Sequence, residues 1–227
     1  MKYLSIRSVC VFLILFAVAN VSWSQNLNDK FRIARLKYGG GGDWYVGPTA
    51  IPNLLRFISN ETDVETSFEE DVIELGNPRL FNFPFLFITG HGNIRFTDRE
   101  VEILRKYLES GGFLHADDCY GMDHSFRREM KRVIPESEFV ELPFSHPIYH
   151  SHFRFPNGLP KIHEHDGKPP QGLGLFIDER LVVFYTYETD LHDGWQDEEV
   201  HNNPPEKRLA ALRMGANIVI WFLRGGT

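Results

Sequence analysis

The stretch FLFITGHGNIRFTDREVEILRKYLESGGFLHADD, residues 85–118, contains two apolar runs with a helical pattern between them. The first run, residues 85–89, is closed by a glycine, which is typical of a strand buried on both faces. Thr97 and Glu100 form a capping-box pattern at the start of the helix, and a pair of glycines ends it before the second run, residues 113–117. A strand, a helix and a strand in this order make a right-handed unit with parallel strands. The stretch therefore predicts an α/β fold.

The rest of the chain also alternates between strand and helix patterns. The length of 227 residues and the 42% hydrophobic content suffice for one α/β domain with its own core. We predict a strand within residues 31–38, helices at 49–60 and 123–133, a β-hairpin at 173–187 and a last helix with its buried face over 209–223.

The first 24 residues have the pattern of a cleaved secretory signal. Lys2 and Arg7 precede an apolar run over residues 9–19, and Ser22 and Ser24 are small residues at alternate positions. The run is shorter than the roughly 20 apolar residues that span a bilayer. We therefore expect export to the periplasm or the extracellular space, no stable membrane insertion after cleavage, and a single mature domain over residues 25–227.

The net charge argues against a nucleic-acid-binding protein, and the cysteine content argues against a disulfide-stabilised one. The formal net charge is −7, and removal of the signal makes the chain more acidic, which argues against nucleic-acid binding because phosphate is met by a basic surface. Of the two cysteines, Cys10 lies in the signal, so Cys119 is left without a partner for an internal disulfide.

The predicted parallel strands place polar residues at one edge of the sheet. His91 follows one strand, and Asp117 and Asp118 follow the next, so these side chains should lie close together at the edge where open α/β sheets bind ligands. Trp44 in the glycine-rich loop and His150 are further candidates, because an aromatic ring beside carboxylates grips neutral sugars. We expect a small polar or carbohydrate-like ligand there, and the oligomeric state stays open.

Four segments resemble a known family. FLFITGHG, YLESGGFLHADD, FSHPIYH and RLAALRMGANIVIWFL are similar to bacterial proteins grouped as a domain of unknown function within the class I glutamine amidotransferase-like superfamily, alongside the trehalose-utilisation-like proteins. The resemblance covers residues 31–223. It implies a flavodoxin-like layered fold, with a mostly parallel central sheet, helices on both faces and a C-terminal β-hairpin, and it implies bacterial export. It does not supply an activity.

Active amidotransferases of that superfamily carry a Gly-x-Cys-x-Gly elbow, and Cys119-Tyr120-Gly121 is similar to its second half. Asp117 stands where the elbow has glycine, and its charge should raise the thiol pKa. We therefore expect no amidotransferase activity. The alternative is a hydrolase in which Cys119 is the nucleophile and His146, or His150, is the base.

A metal site is a second alternative in the same pocket. His91, Asp118 and His146 would supply two imidazoles and a carboxylate, the ligand set of open zinc or iron sites. None of the familiar metal-binding spacings is present, so we expect no cofactor other than this divalent metal alternative. The acidic residues of 190–199 are interpreted as a solvated face.

Overall fold

The computed structural model describes residues 30–226, so the expected signal at 1–24 lies outside the described residues. The strands are β1 (Ala34–Leu36), β2 (Asp71–Ile73), β3 (Phe85–Ile88), β4 (Phe113–Asp117), β5 (Val140–Glu141), β6 (Gln171–Ile177) and β7 (Arg180–Tyr187). The α-helices are α1 (Ala50–Glu61), α2 (Asp98–Glu109), α3 (Asp123–Val133), α4 (Leu191–Trp195), α5 (Glu198–His201) and α6 (Pro205–Leu223). Short 3-10 helices lie at Leu80–Asn82 and Pro147–Tyr149.

The seven strands of residues 30–226 form one sheet in the order β2-β1-β3-β4-β7-β6-β5. Strands β2, β1, β3, β4 and β7 run parallel, and β6 and β5 extend the sheet antiparallel. The order of the five parallel strands is that of flavodoxin-like folds, which confirms the predicted fold class. The strand order reverses between β1 and β3, and this switch point is where such sheets leave a crevice for ligands.

Helices cover both faces of the sheet. Along β3, Leu86 points into the core under α2 and α3, whereas Phe87 points into the core under α1, α4 and α6. This alternation follows from the two-residue period of a strand, and because both faces are covered, nearly every residue of β3 and β4 is apolar. His115 is an exception, and burial lowers its pKa to about 4, so it packs as a neutral ring.

The local signals of the sequence are found in place. The capping box of Thr97 and Glu100 starts α2, and the hairpin turns at Asp178 and Glu179 with φ of 48° and 65°. The hairpin is part of the main sheet, because β7 pairs with β4. The acidic segment before β3 contains β2, a short edge strand for which no prediction was made.

Within residues 30–226, no helix combines the length and apolar character needed to cross a membrane.

Candidate functional site

Three loops meet at the switch point, each following a parallel strand. Asp43 follows β1, His91 follows β3 and Cys119 follows β4. The sulfur of Cys119 lies 3.0 Å from His91 Nε2, and His91 Nδ1 lies 3.0 Å from Asp43 Oδ2. The backbone N–H of His91 donates to Asp43 Oδ1, so one carboxylate fixes both the ring and its backbone. A thiol, an imidazole and a carboxylate therefore form a continuous chain of contacts.

This arrangement depends on Gly90. Its φ is 137°, a conformation that side-chain-bearing residues rarely adopt. A Cβ there would lie 2.2 Å from the hydroxyl oxygen of Tyr38 and 3.1 Å from the carbonyl carbon of Asp43. The hydroxyl of Tyr38 is itself fixed, because it donates to the Thr89 carbonyl at 3.1 Å. The absence of a side chain at Gly90 thus allows the loops carrying Asp43 and His91 to approach.

The thiol itself is buried and electrostatically disfavoured as a thiolate. Burial raises the pKa of Cys119, and the carboxylates of Asp190, Asp193 and Asp117 raise it further. Cys119 is only 2% exposed, whereas the His91 side chain is 53% exposed. The strained positive-φ conformation of a nucleophile elbow is not found at Cys119. The resting group is a neutral thiol against an accessible imidazole.

Asp117 has no surface for a ligand. It is fully buried, and its two carboxylate oxygens accept hydrogen bonds from Thr186, from Thr189 and from the backbone and ring of His192. Asp117 therefore holds the end of β7 and the start of α4 against β4. Its expected contact with a ligand is not found, because every side of the carboxylate faces protein.

The carboxylate of Asp118 also makes its contacts with other groups of the protein. Its Oδ1 accepts from the hydroxyl of Tyr185 at 3.0 Å, and its Oδ2 accepts from the backbone N–H of Glu188 at 2.9 Å and lies 3.5 Å from His165 Nδ1. Burial raises the pKa of Asp118, although the contact with His165 opposes the shift. Both adjacent aspartates thus accept backbone N–H bonds at the strand end.

A second group of polar residues lies beside the thiol site, and we call it the histidine–aspartate cluster. His165 Nε2 is 2.6 Å from Asp190 Oδ2, and His163 Nδ1 is 3.0 Å from Asp193 Oδ2. The hydrogen bond with Asp190 raises the pKa of His163 to about 10, and the one with Asp118 raises that of His165 to about 10. The cluster is His163, His165, Asp190, His192, Asp193 and His201.

The cluster corrects part of the interpretation of residues 190–199 as a solvated acidic face: Glu198 and Glu199 are exposed, whereas Asp190 and Asp193 are not. Asp190 is 5% exposed and Asp193 is half-buried, because α4 turns both into the edge of the sheet. Trp195 of the same segment is a core residue, and its ring N–H donates to the Ala211 carbonyl at 2.8 Å.

Residues 32–223 match the family described as Domain of unknown function (DUF4159). The chain belongs to this family. The matched range runs from just before β1 to the end of α6, so the DUF4159 domain contains the whole sheet, the thiol site and the histidine–aspartate cluster. No curated protein matches the chain.

The DUF4159 domain separates His146 from the thiol. His146 Nδ1 accepts the Ile148 backbone N–H at 3.2 Å, and its ring lies 5.8 Å from that of Trp221. Trp221 in turn packs on Phe113, the first residue of β4, whereas Cys119 follows the last. A strand of this length spans about 16 Å at roughly 3.3 Å per residue. The structure thus corrects two expectations: His146 is not beside Cys119, and His91, Asp118 and His146 do not converge on a metal.

The remaining two expected site residues of the DUF4159 domain lie apart from the thiol. His150 Nε2 is 2.8 Å from the Phe144 carbonyl, within the same connection as His146. Trp44 is half-buried against the core of α2 and α3, with Lys37 Nζ 5.8 Å from its ring centre. Its neighbour Asp43, which sequence reasoning missed, is the residue of that loop that contacts His91.

Proposed function

We propose that this protein is an exported hydrolase that binds a small polar ligand at the switch point and cleaves an acyl bond in it with Cys119. The observation that carries the proposal is the contact of His91 with the thiol through one ring nitrogen and with Asp43 through the other, each at 3.0 Å. Nucleophile, base and orienting carboxylate are the three parts of covalent acyl-transfer sites. Export is inferred from the signal pattern of residues 1–24.

The carboxylate of Asp43 determines the tautomer of His91. A carboxylate only accepts hydrogen bonds, so His91 Nδ1 carries a proton and Nε2 presents its lone pair to the thiol. Because the pKa of Cys119 is raised, the thiol keeps its proton at rest. His91 removes that proton as the sulfur attacks, and it acts as a general base rather than as half of a resting ion pair.

The reaction then follows in two balanced steps. The sulfur of Cys119 bonds to the carbonyl carbon of an amide or ester, the bond to the leaving group breaks, and the leaving group takes the proton from His91. In the second step His91 accepts a proton from water, the hydroxide oxygen bonds to the same carbon, and the sulfur leaves and regains its proton. The products are a carboxylic acid and the amine or alcohol.

The surroundings of the thiol indicate the class of ligand. The carboxylates that raise the thiol pKa also repel anions, so the ligand is neutral or cationic in the part that reaches Cys119. Gly92 and Gly121 leave space in the loops after β3 and β4. The nearest atom to a Cβ on Gly92 would be Gly42 Cα, 3.9 Å away, and the nearest to a Cβ on Gly121 would be the backbone nitrogen of Gly92, 3.8 Å away. A neutral, carbohydrate-like molecule with an acyl substituent fits both conditions.

The second candidate is binding of the same ligand without chemistry. The near-complete burial of Cys119 and its raised pKa favour this alternative. In either case we propose membership of the class I glutamine amidotransferase-like superfamily without amidotransferase activity. Two observations support the absence of that activity: Asp117 stands where the elbow has glycine, and Cys119 lacks the positive φ of a nucleophile elbow.

The test is hydrolysis of p-nitrophenyl acetate, a small neutral ester, followed at pH 7.5 with the mature protein. We expect Cys119→Ala and His91→Gln each to lower kcat/KM by at least about 100-fold, and Asp43→Asn to lower it by about 10-fold or more. His124→Gln is the matched control, because His124 is an exposed histidine on α3.

Intact mass spectrometry of the reaction, stopped in acid, provides a second readout. Acetylation that maps to Cys119 and disappears in Cys119→Ala supports the hydrolase. Turnover by Cys119→Ala at the wild-type rate contradicts it. The binding alternative is correct if neither the wild type nor any variant cleaves the ester and if folded Cys119→Ala binds neutral acetylated sugars as the wild type does.

A further inference from the structure

We infer that His163, Asp193 and His201 bind one divalent transition-metal ion at a site distinct from the thiol. One ligand atom from each of the three side chains lies within 4.8 Å of the others. His163 Nδ1 is 3.0 Å from Asp193 Oδ2, and His201 Nε2 is 3.2 Å from Asp193 Oδ1. Two ligands bound at about 2.1 Å to one ion are separated by roughly 3.0–3.4 Å. The observed spacings are those of adjacent ligands.

The orientation of His163 is fixed by a residue behind it. Its Nε2 lies 3.0 Å from Asn203 Oδ1, and an amide oxygen accepts the ring N–H. Nδ1 is then left to face Asp193 Oδ2 and, at 3.5 Å, Asp190 Oδ2. Metal-binding histidines characteristically donate their other ring nitrogen to a carbonyl or carboxylate in this way.

The lone pairs of Asp193 and His201 converge on a single point. Gln196 Nε2 lies 2.8 Å from Asp193 Oδ1 and 2.9 Å from His201 Nε2, so its amide hydrogens are directed at both. In the tautomer that accepts from Gln196, His201 Nε2 presents its lone pair to the same point as Asp193 Oδ1. A metal ion would take the place of the Gln196 amide nitrogen, and at about 2.1 Å it would lie roughly 0.7 Å nearer to each of the two ligand atoms than that nitrogen does.

One further polar atom beside the site lacks a partner. Asp190 is 5% exposed, and its Oδ1 has no hydrogen-bond partner among the described residues. The other oxygen of the same carboxylate lies 3.5 Å from His163 Nδ1. Buried polar atoms are nearly always satisfied, so the unpartnered oxygen of Asp190 supports a cation at this site.

The ligand types favour a metal of the zinc or iron class. Two imidazoles and one carboxylate are the ligands that Zn²⁺ and Fe²⁺ take in open sites, whereas Ca²⁺ and Mg²⁺ prefer oxygen alone. The side chains of His163 and His201 are 30% and 31% exposed, so an ion can enter from solvent and keep a water ligand.

The experiment uses tag-free mature protein, stripped with a chelator and titrated with Co²⁺, with Zn²⁺ as competitor. We expect one Co²⁺ per chain, visible as d–d absorption that Zn²⁺ removes. His163→Gln, Asp193→Asn and His201→Gln should each weaken binding at least 100-fold, and Asn203→Ala about 10- to 100-fold. His124→Gln, the exposed histidine on α3, should bind as the wild type does.

X-ray absorption of the wild-type Zn²⁺ complex tests the site without a variant. Two imidazole nitrogens with oxygen ligands support the assignment. A sulfur ligand, or a thiolate charge-transfer band with Co²⁺, overturns it by placing the ion at Cys119. Substoichiometric binding by the wild type, or an unchanged affinity in folded Asp193→Asn, also overturns it.

Discussion

Replacement of Asp117 by asparagine should lower the free energy of unfolding by about 2–3 kcal/mol, although the side chain keeps its size. Oδ1 of Asp117 accepts from the hydroxyls of Thr186 at 2.5 Å and Thr189 at 3.0 Å. Oδ2 accepts from the backbone nitrogen of His192 at 2.9 Å and from its ring Nδ1 at 2.8 Å. Burial alone would lower the pKa of His192, but the hydrogen bond with Asp117 raises it. The carboxylate thus favours the protonated form of the His192 ring.

The expected magnitude follows from the best placement of the amide. Its nitrogen can face the two threonine hydroxyls, which become acceptors while donating to the carbonyls of Ala116, at 3.2 Å, and Thr186, at 2.9 Å. Its oxygen keeps both bonds from His192 but without charge. A hydrogen bond to a charged group contributes about 1.5–3 kcal/mol and a neutral one about 0.5–1.5 kcal/mol. Two such losses of about 1–1.5 kcal/mol each give the stated value.

Urea denaturation at pH 7, followed by circular dichroism, measures the change. The m value should stay constant, and the melting temperature should fall by about 4–12 °C for a domain of this size. Asp166→Asn is the control, since it makes the same chemical change on a half-exposed side chain and should leave the midpoint unchanged. An unfolding free energy for Asp117→Asn within about 0.5 kcal/mol of the wild type would refute the reasoning.

Three further results are expected. Iodoacetamide should modify Cys119 more slowly in the folded protein than in urea at pH 7, because burial raises the thiol pKa, and a faster folded rate at pH 6 would contradict this. Burial would raise the pKa of Glu129, but Arg128 and Arg132 hold this pKa below the ordinary 4.5. The ionised Glu129 side chain therefore contributes its full stabilisation above pH 4.5, and this stabilisation is lost as the pH falls below that value. Glu129→Gln should therefore lose less stability than the wild type between pH 6 and pH 3 in urea titrations; an equal loss refutes the assignment. Mature protein from its host should begin within a few residues of Gln25 by N-terminal sequencing, and a stable cytoplasmic form starting at Met1 would argue against export.

The meeting of His91 and Cys119 could be predicted because it depends on neighbouring strands. β3 and β4 are consecutive and parallel, and Ile88 pairs with Ala116, so the residues just beyond them share one edge. The role of Asp43 could not be predicted in this way. It depends on β1 and β3 being neighbours in the sheet although β2 lies between them in the chain. It also depends on the positive φ of Gly90.

The histidine–aspartate cluster was missed because two of its six residues, His163 and His165, lie in an irregular segment. His163 and His165 have no helical or strand period to place them, and the backbone bond from Ile162 to the Thr189 carbonyl at 2.8 Å fixes their position. Two signals were present in the sequence. His163 and His165 stand at alternate positions. Asp190 comes shortly after the end of β7, just as Asp117 lies at the end of the parallel strand β4. The prediction that His146 lies beside Cys119 was wrong for a similar reason. His146 also lies in an irregular connection, and this connection packs near the first residue of β4 rather than the last.

The distance along the chain between Asp117 and its partners determines when this edge of the sheet can be completed. The partners come 69 to 75 residues later. At roughly 5–20 residues per second, a ribosome needs about 4–15 seconds to supply them. A chain that folded before β7 was supplied would leave β4 as the open edge of a parallel sheet, the kind of surface that pairs with other chains. Asp117 places a charge at the end of that edge, and inward-pointing charges are among the features by which edge strands resist such pairing.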